Sequence, residues 1–322
     1  MKRGKDNKFY DLSPFLAICI VFSFFMITCF YPTGISAETI RKASVAGYFY
    51  PKDQPVLIEM VDRLMKNAEI IPLDDKILGL VSPHAGYIYS GQVAAHSYKQ
   101  IKDKNYDTVI IVGPSHHVYF KGASIGNWDL YETPLGNVRV NKEISKKLLS
   151  YRKIFHFVEK AHVKEHSIET QIPFLQRSLK NFDIVPIVTG TLSLKDCEEI
   201  SDILSKIVRG KNILFIASSD MSHYPNYENA NKVDRYILSL IEDSNPLILF
   251  NEAHDFLKKE IPNLVTAMCG INAVVAVMMT VKKCGGNDAK TLYYANSGDV
   301  SMHGYHKRDK VVGYGAVAFY KK

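Results

Sequence analysis

Ile213-Leu214-Phe215-Ile216-Ala217-Ser218-Ser219-Asp220-Met221-Ser222-His223-Tyr224 is the stretch on which the fold turns. Five apolar residues run straight into a loop of Ser, Asp and His. A short, unbroken apolar run is what a strand covered on both faces requires, whereas a half-exposed strand would alternate with polar residues. The same arrangement occurs twice earlier. Ile77–Ser82 runs into Pro83-His84-Ala85-Gly86-Tyr87, and Thr108–Val112 runs into Gly113-Pro114-Ser115-His116-His117.

Further runs at Ile184–Val188, Leu292–Ala295 and Val311–Phe319 extend the set of expected strands. Between them, helical periodicity predicts Gln54–Lys66, Gly91–Lys102, Lys142–Leu149, Ser167–Leu179, Leu194–Ile207, Ala230–Ser244, Ala253–Lys259 and Gly270–Lys283. Residues 123–140, with Trp128, Tyr131 and Pro134, read as a hairpin or irregular excursion. Strands alternating with helices define an α/β protein: one domain with a mostly parallel central sheet flanked by helices. No linker and no internal repeat interrupts Val45 to Lys322, so the domain is expected over 38–322.

Residues 1–37 read differently. Basic residues up to Lys8 precede an apolar stretch from Pro14 to Tyr31, and Ile35-Ser36-Ala37 offers small residues at a cleavage site. This is the pattern of a secretory signal peptide, and the run is also long enough for a retained N-terminal membrane anchor. Either way the domain is expected outside the cytoplasm, in the periplasm or extracellular space, with membrane attachment if the segment stays. Beyond it only Cys197, Cys269 and Cys284 remain, too few for a disulfide framework in a domain of this size.

With 47% hydrophobic and 23% charged residues, the 322-residue chain is neither disordered nor low-complexity. The net charge of +7 is spread along the chain, with no basic run denser than His306-Lys307-Arg308. A nucleic-acid partner is therefore not expected, since such binders concentrate their charge on one face.

In an open parallel sheet the carboxyl ends of the strands line one edge, where ligand sites form. That rule brings His84, His116 or His117, Asp220 and His223 into one region. Imidazoles suit Fe, Cu and Zn, and a carboxylate or thiolate completes such a set. Cys269, in Met268-Cys269-Gly270 ahead of an apolar helix, is a further ligand candidate, because a helix N-terminus lowers a thiol's pKa. His166 and Glu169 lie three apart in Glu165-His166-Ser167-Ile168-Glu169 and could support a ligand or close the pocket. Tyr48, Tyr87, Tyr89 and Tyr224 offer aromatic walls. The bland readings are loop hydrogen-bonding for each histidine, a buried small hydrophobe for Cys269 and a loop cap for Asp220.

These residues, together with Val45-Ala46-Gly47-Tyr48-Phe49-Tyr50-Pro51 and Ile88-Tyr89-Ser90-Gly91, resemble the Memo family, called AmmeMemoRadiSam system protein B in bacteria and archaea. The resemblance runs from about Val45 to Lys322. It implies a fold like that of the class III extradiol dioxygenases, with metal ligands at His84, His116 and Cys269. Asp220 and His223 are implied beside them as the catalytic pair, His223 at the place of an acid/base histidine. From their own positions His117, His166, Glu169 and Tyr48 are expected as surrounding or pocket residues. The implied metal is iron or copper, and other AmmeMemoRadiSam components are implied as companions. Dioxygenases carry two histidines and a glutamate, so the cysteine departs from their pattern and leaves ring cleavage in doubt.

Two functions are expected to compete. One is a metal-dependent redox or oxygenase-like enzyme acting on a small molecule. The other is a non-catalytic module whose cleft holds a metal ion or a small-molecule or peptide ligand. A hydrolase using Ser219 or Ser222 with His223 is disfavoured, because neither serine sits in a nucleophile-elbow glycine pattern.

Overall fold

The structure is a computed structural model that describes Met1 and residues 37–73, 76–301 and 304–322. The segment read as signal or anchor lies outside the described residues except for its two ends. Among the described residues no helix is long and apolar enough to cross a membrane.

Residues Glu38–Lys322 form one compact unit. Its first half holds β1 (Ile40–Arg41), α1 (Gln54–Asn67), β2 (Ile77–Ser82), α2 (Tyr87–Lys99) and β3 (Thr108–Pro114). Next come β4 (Ala123–Ile125), β5 (Leu130–Thr133), β6 (Gly136–Arg139), α3 (Lys142–Leu149) and β7 (Phe155–His156). Three short helices follow, α4 (Lys160–Val163), α5 (His166–Glu169) and α6 (Ile172–Ser178). The second half holds β8 (Asp183–Thr189), α7 (Leu194–Ile207), β9 (Ile213–Ser218), α8 (Tyr227–Glu242) and α9 (Pro246–Asp255). It ends with α10 (Ile271–Lys283), β10 (Asp288–Asn296) and β11 (Gly313–Tyr320).

The main sheet has the order β10-β11-β2-β9-β3-β8-β4-β7, and a small sheet β1-β5-β6 contains the hairpin expected between 123 and 140. The four central strands of the main sheet, β2, β9, β3 and β8, are parallel neighbours. On the flanks β11 pairs antiparallel with β2 and β10, and β4 antiparallel with β8.

The continuous apolar runs follow from the layering. On β3, Ile110 and Val112 join one core, with residues of α7, α8 and α10. Val109 and Ile111 join the other, with residues of α1, α2 and α6. On β9, Phe215 and Ala217 face the first core, Leu214 and Ile216 the second. Side chains alternate across a strand, so a helix layer on each face demands apolar residues at every position.

Two helix expectations change. Ser167–Leu179 is not one helix but α5 and α6, because Pro173 has no N–H to offer the carbonyl of Glu169. The helix expected over Ala253–Lys259 starts instead at Pro246 and ends in a 3₁₀ turn, Phe256–Lys258. Asn245 caps it by accepting from Ile248 N, and Pro246 suits a first helical position, which has no use for an N–H.

Candidate metal centre

The four parallel strands end on one edge, and there the loops after β2, β3 and β9 meet the start of α5 and of α10. His84 is the innermost of the group, 1% exposed. Its backbone N–H and that of Ala85 donate to Asp220 Oδ1 at 2.8 and 3.3 Å, so the loop after β9 fixes the loop after β2. His84 Nδ1 lies 2.9 Å from Ser218 Oγ. That hydroxyl donates its single proton to the carbonyl of Ser167 at 2.6 Å and accepts from Gln171 Nε2 at 2.9 Å. The proton between serine and histidine must therefore sit on His84 Nδ1, which leaves a lone pair on Nε2. Nε2 lies 3.3 Å from Cys269 Sγ.

His116 is set in the same sense by Glu165. The Glu165 carboxylate, on a side chain 1% exposed, accepts from His116 Nδ1 at 2.8 Å and from His116 N at 2.7 Å. It also caps α5, accepting from His166 N at 3.0 Å and Ser167 N at 2.9 Å. Burial pushes the Glu165 carboxyl up, but hydrogen bonding from His116 and the nearby imidazoles more than offset it and hold it well below the usual range. An ionised Glu165 can only accept, so Nδ1 of His116 carries the proton and Nε2 is free.

His166 stacks on His116 with ring centroids 4.3 Å apart, and His84 meets both rings edge-on at 5.0 and 5.3 Å. One ligand atom from each of His84, His116 and His166 lies within 4.8 Å of the others, a group that could hold a metal ion. Burial, then His116, drive His84 well below the ordinary imidazole value, and burial and His84 bring His166 to about 3. Neutral imidazole is the form that binds metal.

Cys269 lies against this group, its N–H bonded to the carbonyl of Asp220 at 3.3 Å. The helix-end lowering expected for its thiol is not found: burial and the charge of Asp220 push it up instead. Asp220, 4% exposed, is itself pushed up by burial, with His223 and the amides of His84 and Ala85 pulling the other way. Burial lowers His223, against the attraction of Asp220. Its Nε2 is buried and makes no hydrogen bond among the described residues.

A cavity of about 470 Å3 adjoins the centre, with His116, His117, Tyr119, His254, Cys269 and Asn272 in its wall. His117 is exposed, its ring 6.3 Å from that of His166. The structure does not bring Tyr48 or Glu169 into the group. Tyr48 is 88% exposed, and its neighbour Phe49 packs on His166 at 4.6 Å. Glu169 is buried in an ion pair with Arg41 and accepts from Tyr50 Oη at 2.6 Å. Ser218, Gln171 and Glu165 were not foreseen in these roles. Only Glu165 carried a signal, an acidic residue at a helix start beside a histidine.

The fold and this edge define a class: an α/β protein whose parallel strands end in a histidine and cysteine centre that runs from buried His84 out to exposed His116. The chain belongs to the Memo family, whose model, "Memo-like protein", matches residues 41–318. It is 36% identical over 285 residues to a MEMO1 family protein of Nitrosopumilus maritimus, covering 87% of this chain and 99% of that one. A MEMO1 family protein of Methanobrevibacter smithii is 34% identical over 292 residues, with coverage of 87% and 99%. One of Methanococcus vannielii is 37% identical over 297 residues, with coverage of 86% and 99%. Among solved structures, that titled uncharacterized protein JW3007 from Escherichia coli K12 aligns over 75% of this chain and 99% of its own, with a TM-score of 0.49 and 12% identity.

Proposed function

We propose that this centre binds iron or copper through His84, His116 and Cys269, and that the protein performs redox or oxygenase-like chemistry on a small molecule in the adjoining cavity. One observation carries the reading: Ser218 and Glu165 fix the protons of His84 and His116 on Nδ1, so both Nε2 lone pairs are committed before any metal arrives. Histidines that merely bonded their loops would not need both tautomers set, nor a ligand atom of each within 4.8 Å of the other. Two imidazoles with a thiol suit iron or copper, and His166 stands beside them as a rival third ligand.

The metal, when bound, supplies a Lewis acid and an electron acceptor or donor. The protein's own residues bind and move protons. His223, neutral and with Nε2 unpartnered, can take a proton from a substrate hydroxyl or thiol and return it. Asp220 holds the loop that carries His223 to the loop that carries His84. Residues 1–37, read as signal or anchor, would place this chemistry outside the cytoplasm.

The test is metal analysis of full-length protein purified under reducing conditions, followed by oxygen uptake. His84→Ala, His116→Ala and Cys269→Ala should each lose metal while melting near wild type. His223→Ala should keep the metal and lose turnover. Protein that takes up no iron, copper or zinc ends the reading. Loss of metal in His166→Ala but not Cys269→Ala would move the third ligand to His166. Bound metal without oxygen uptake would leave a binding module.

A further inference from the structure

A second cavity, of about 390 Å3, opens at the opposite edge of the sheet, where β2 and β9 begin. Leu78, Val208, Ile213 and Phe215 form an apolar floor. Around it stand Lys76, Arg209, Lys211, Lys283 and Lys321. Cations near a helix C-terminus answer the carbonyl dipole, which accounts for Arg209 and Lys211 beyond α7 and for Lys283 in the last turn of α10. It does not account for Lys76, one residue before β2, or Lys321, one residue after β11. Four separate parts of the chain thus bring like charge to one mouth.

Among the described residues, compensation is incomplete. Lys283 pairs with Asp202, and Lys211 reaches Glu143 at 3.5 Å. Glu143 is already shared with Lys147 at 2.7 Å. Among the described residues, Lys76 Nζ has only the amide oxygen of Asn212, at 2.9 Å. The side chains of Arg209 and Lys321 have no ion-pair or hydrogen-bond partner among the described residues. Crowded cations of this kind repel one another, and a multiply charged anion relieves that repulsion. An Arg fork with several Lys ammoniums suits phosphate, and the size fits a small organic ligand.

We infer that this cavity is a binding site for a small phosphorylated molecule. The phosphate sits among Arg209, Lys283 and Lys321, and the organic part lies over the apolar floor. The site is separate from the metal centre and does not depend on it.

The experiment titrates the full-length protein with AMP and with inorganic phosphate by calorimetry at low ionic strength. AMP should saturate at one per chain and bind more tightly than phosphate, which cannot use the floor. The double variant Arg209→Gln/Lys321→Gln should bind AMP at least about tenfold more weakly, as expected when two charge-assisted contacts are lost. Lys99→Gln, on α2 and outside this cavity, should match wild type. A second readout works on the unaltered protein, because Cys284 also lines the cavity. Saturating AMP should slow alkylation of Cys284, followed by mass spectrometry, and leave Cys269 at its own rate. Absence of saturation by both probes, an unaffected double variant, or an unchanged Cys284 rate at saturating AMP would overturn the site. AMP binding no tighter than phosphate would overturn the role given to the floor.

Discussion

At the scale of single residues, a carboxylate as buried as Glu165 stays ionised only because donors converge on it, and they come from both sides of the candidate metal centre. His116 brings its backbone N–H and its ring, while His166 and Ser167 bring the first amides of α5. Glu165→Gln keeps an oxygen to cap α5 but removes the charge that holds the proton on His116 Nδ1. Metal affinity is expected to fall roughly 10- to 100-fold, as when other outer partners of metal ligands are lost. Competition against a chelator measures it, and unchanged affinity would show that His116 is oriented without Glu165. His84 and His116 were legible as candidates because each follows a buried strand, and Cys269 because it precedes an apolar helix. His166, which the structure sets beside the first two, was legible only as a supporting residue. Glu165 and Ser218 were not legible as the groups that set the ring protons. Those pairings join residues 49 and 134 apart, and only the packed loops reveal them.

Elements must also approach one another closely to build this edge, and Gly270 shows how closely. A Cβ there would lie 2.6 Å from the carbonyl oxygen of Ser218 and 2.7 Å from Cβ of Ser219. The end of β9 and the start of α10 cannot both stay in place, so Gly270→Ala is expected to cost about 1–3 kcal/mol, the usual range for overpacking. It should also weaken metal binding, since Cys269 moves with the helix start. Urea unfolding with a metal titration checks both, and a variant that loses neither would mean the loop yields freely. On the other side, Arg41 of β1 pairs with Glu169 and donates to the carbonyls of His162 and Glu165 at 2.9 and 2.7 Å. Arg41→Met strands a buried carboxylate and should cost about 3–5 kcal/mol in the same measurement. A loss under 1 kcal/mol would show that Ser44, Val45 and Tyr50 satisfy Glu169 unaided. Strand positions were legible because burial on both faces leaves an unmistakable apolar run. The break between α5 and α6 was missed because the apolar periodicity continues through Pro173. The antiparallel flanks fit a mostly parallel sheet, but which strands reverse was not legible, because a run of apolar residues carries no strand direction.

Across the whole molecule, buried titratable groups set how stability follows pH, and two of them oppose each other. His162, 1% exposed between Tyr131 and Ser124, is brought to about 3 from 6.5 by burial and by Arg41. Below pH 6.5 the unfolded chain binds a proton there that the folded chain refuses. Stability therefore falls with falling pH, by at most about 1.4 kcal/mol per pH unit, until about pH 3. Asp234 on α8, fully buried, is pushed up by burial from 3.8 to about 7. Above pH 3.8 the unfolded chain releases a proton that the folded chain keeps, so stability falls with rising pH until about pH 7. Other groups act in both states of each comparison and cancel when a variant is set against wild type. His162→Gln should therefore gain on wild type as pH drops from 7 to 4, whatever constant offset its packing brings. Asp234→Asn should gain in the opposite direction, as pH rises from 4 to 7. Urea midpoints at pH 4, 5, 6 and 7 for the three proteins decide it. Two variants running parallel to wild type would mean that water or local opening lets both groups titrate as they do in the unfolded chain.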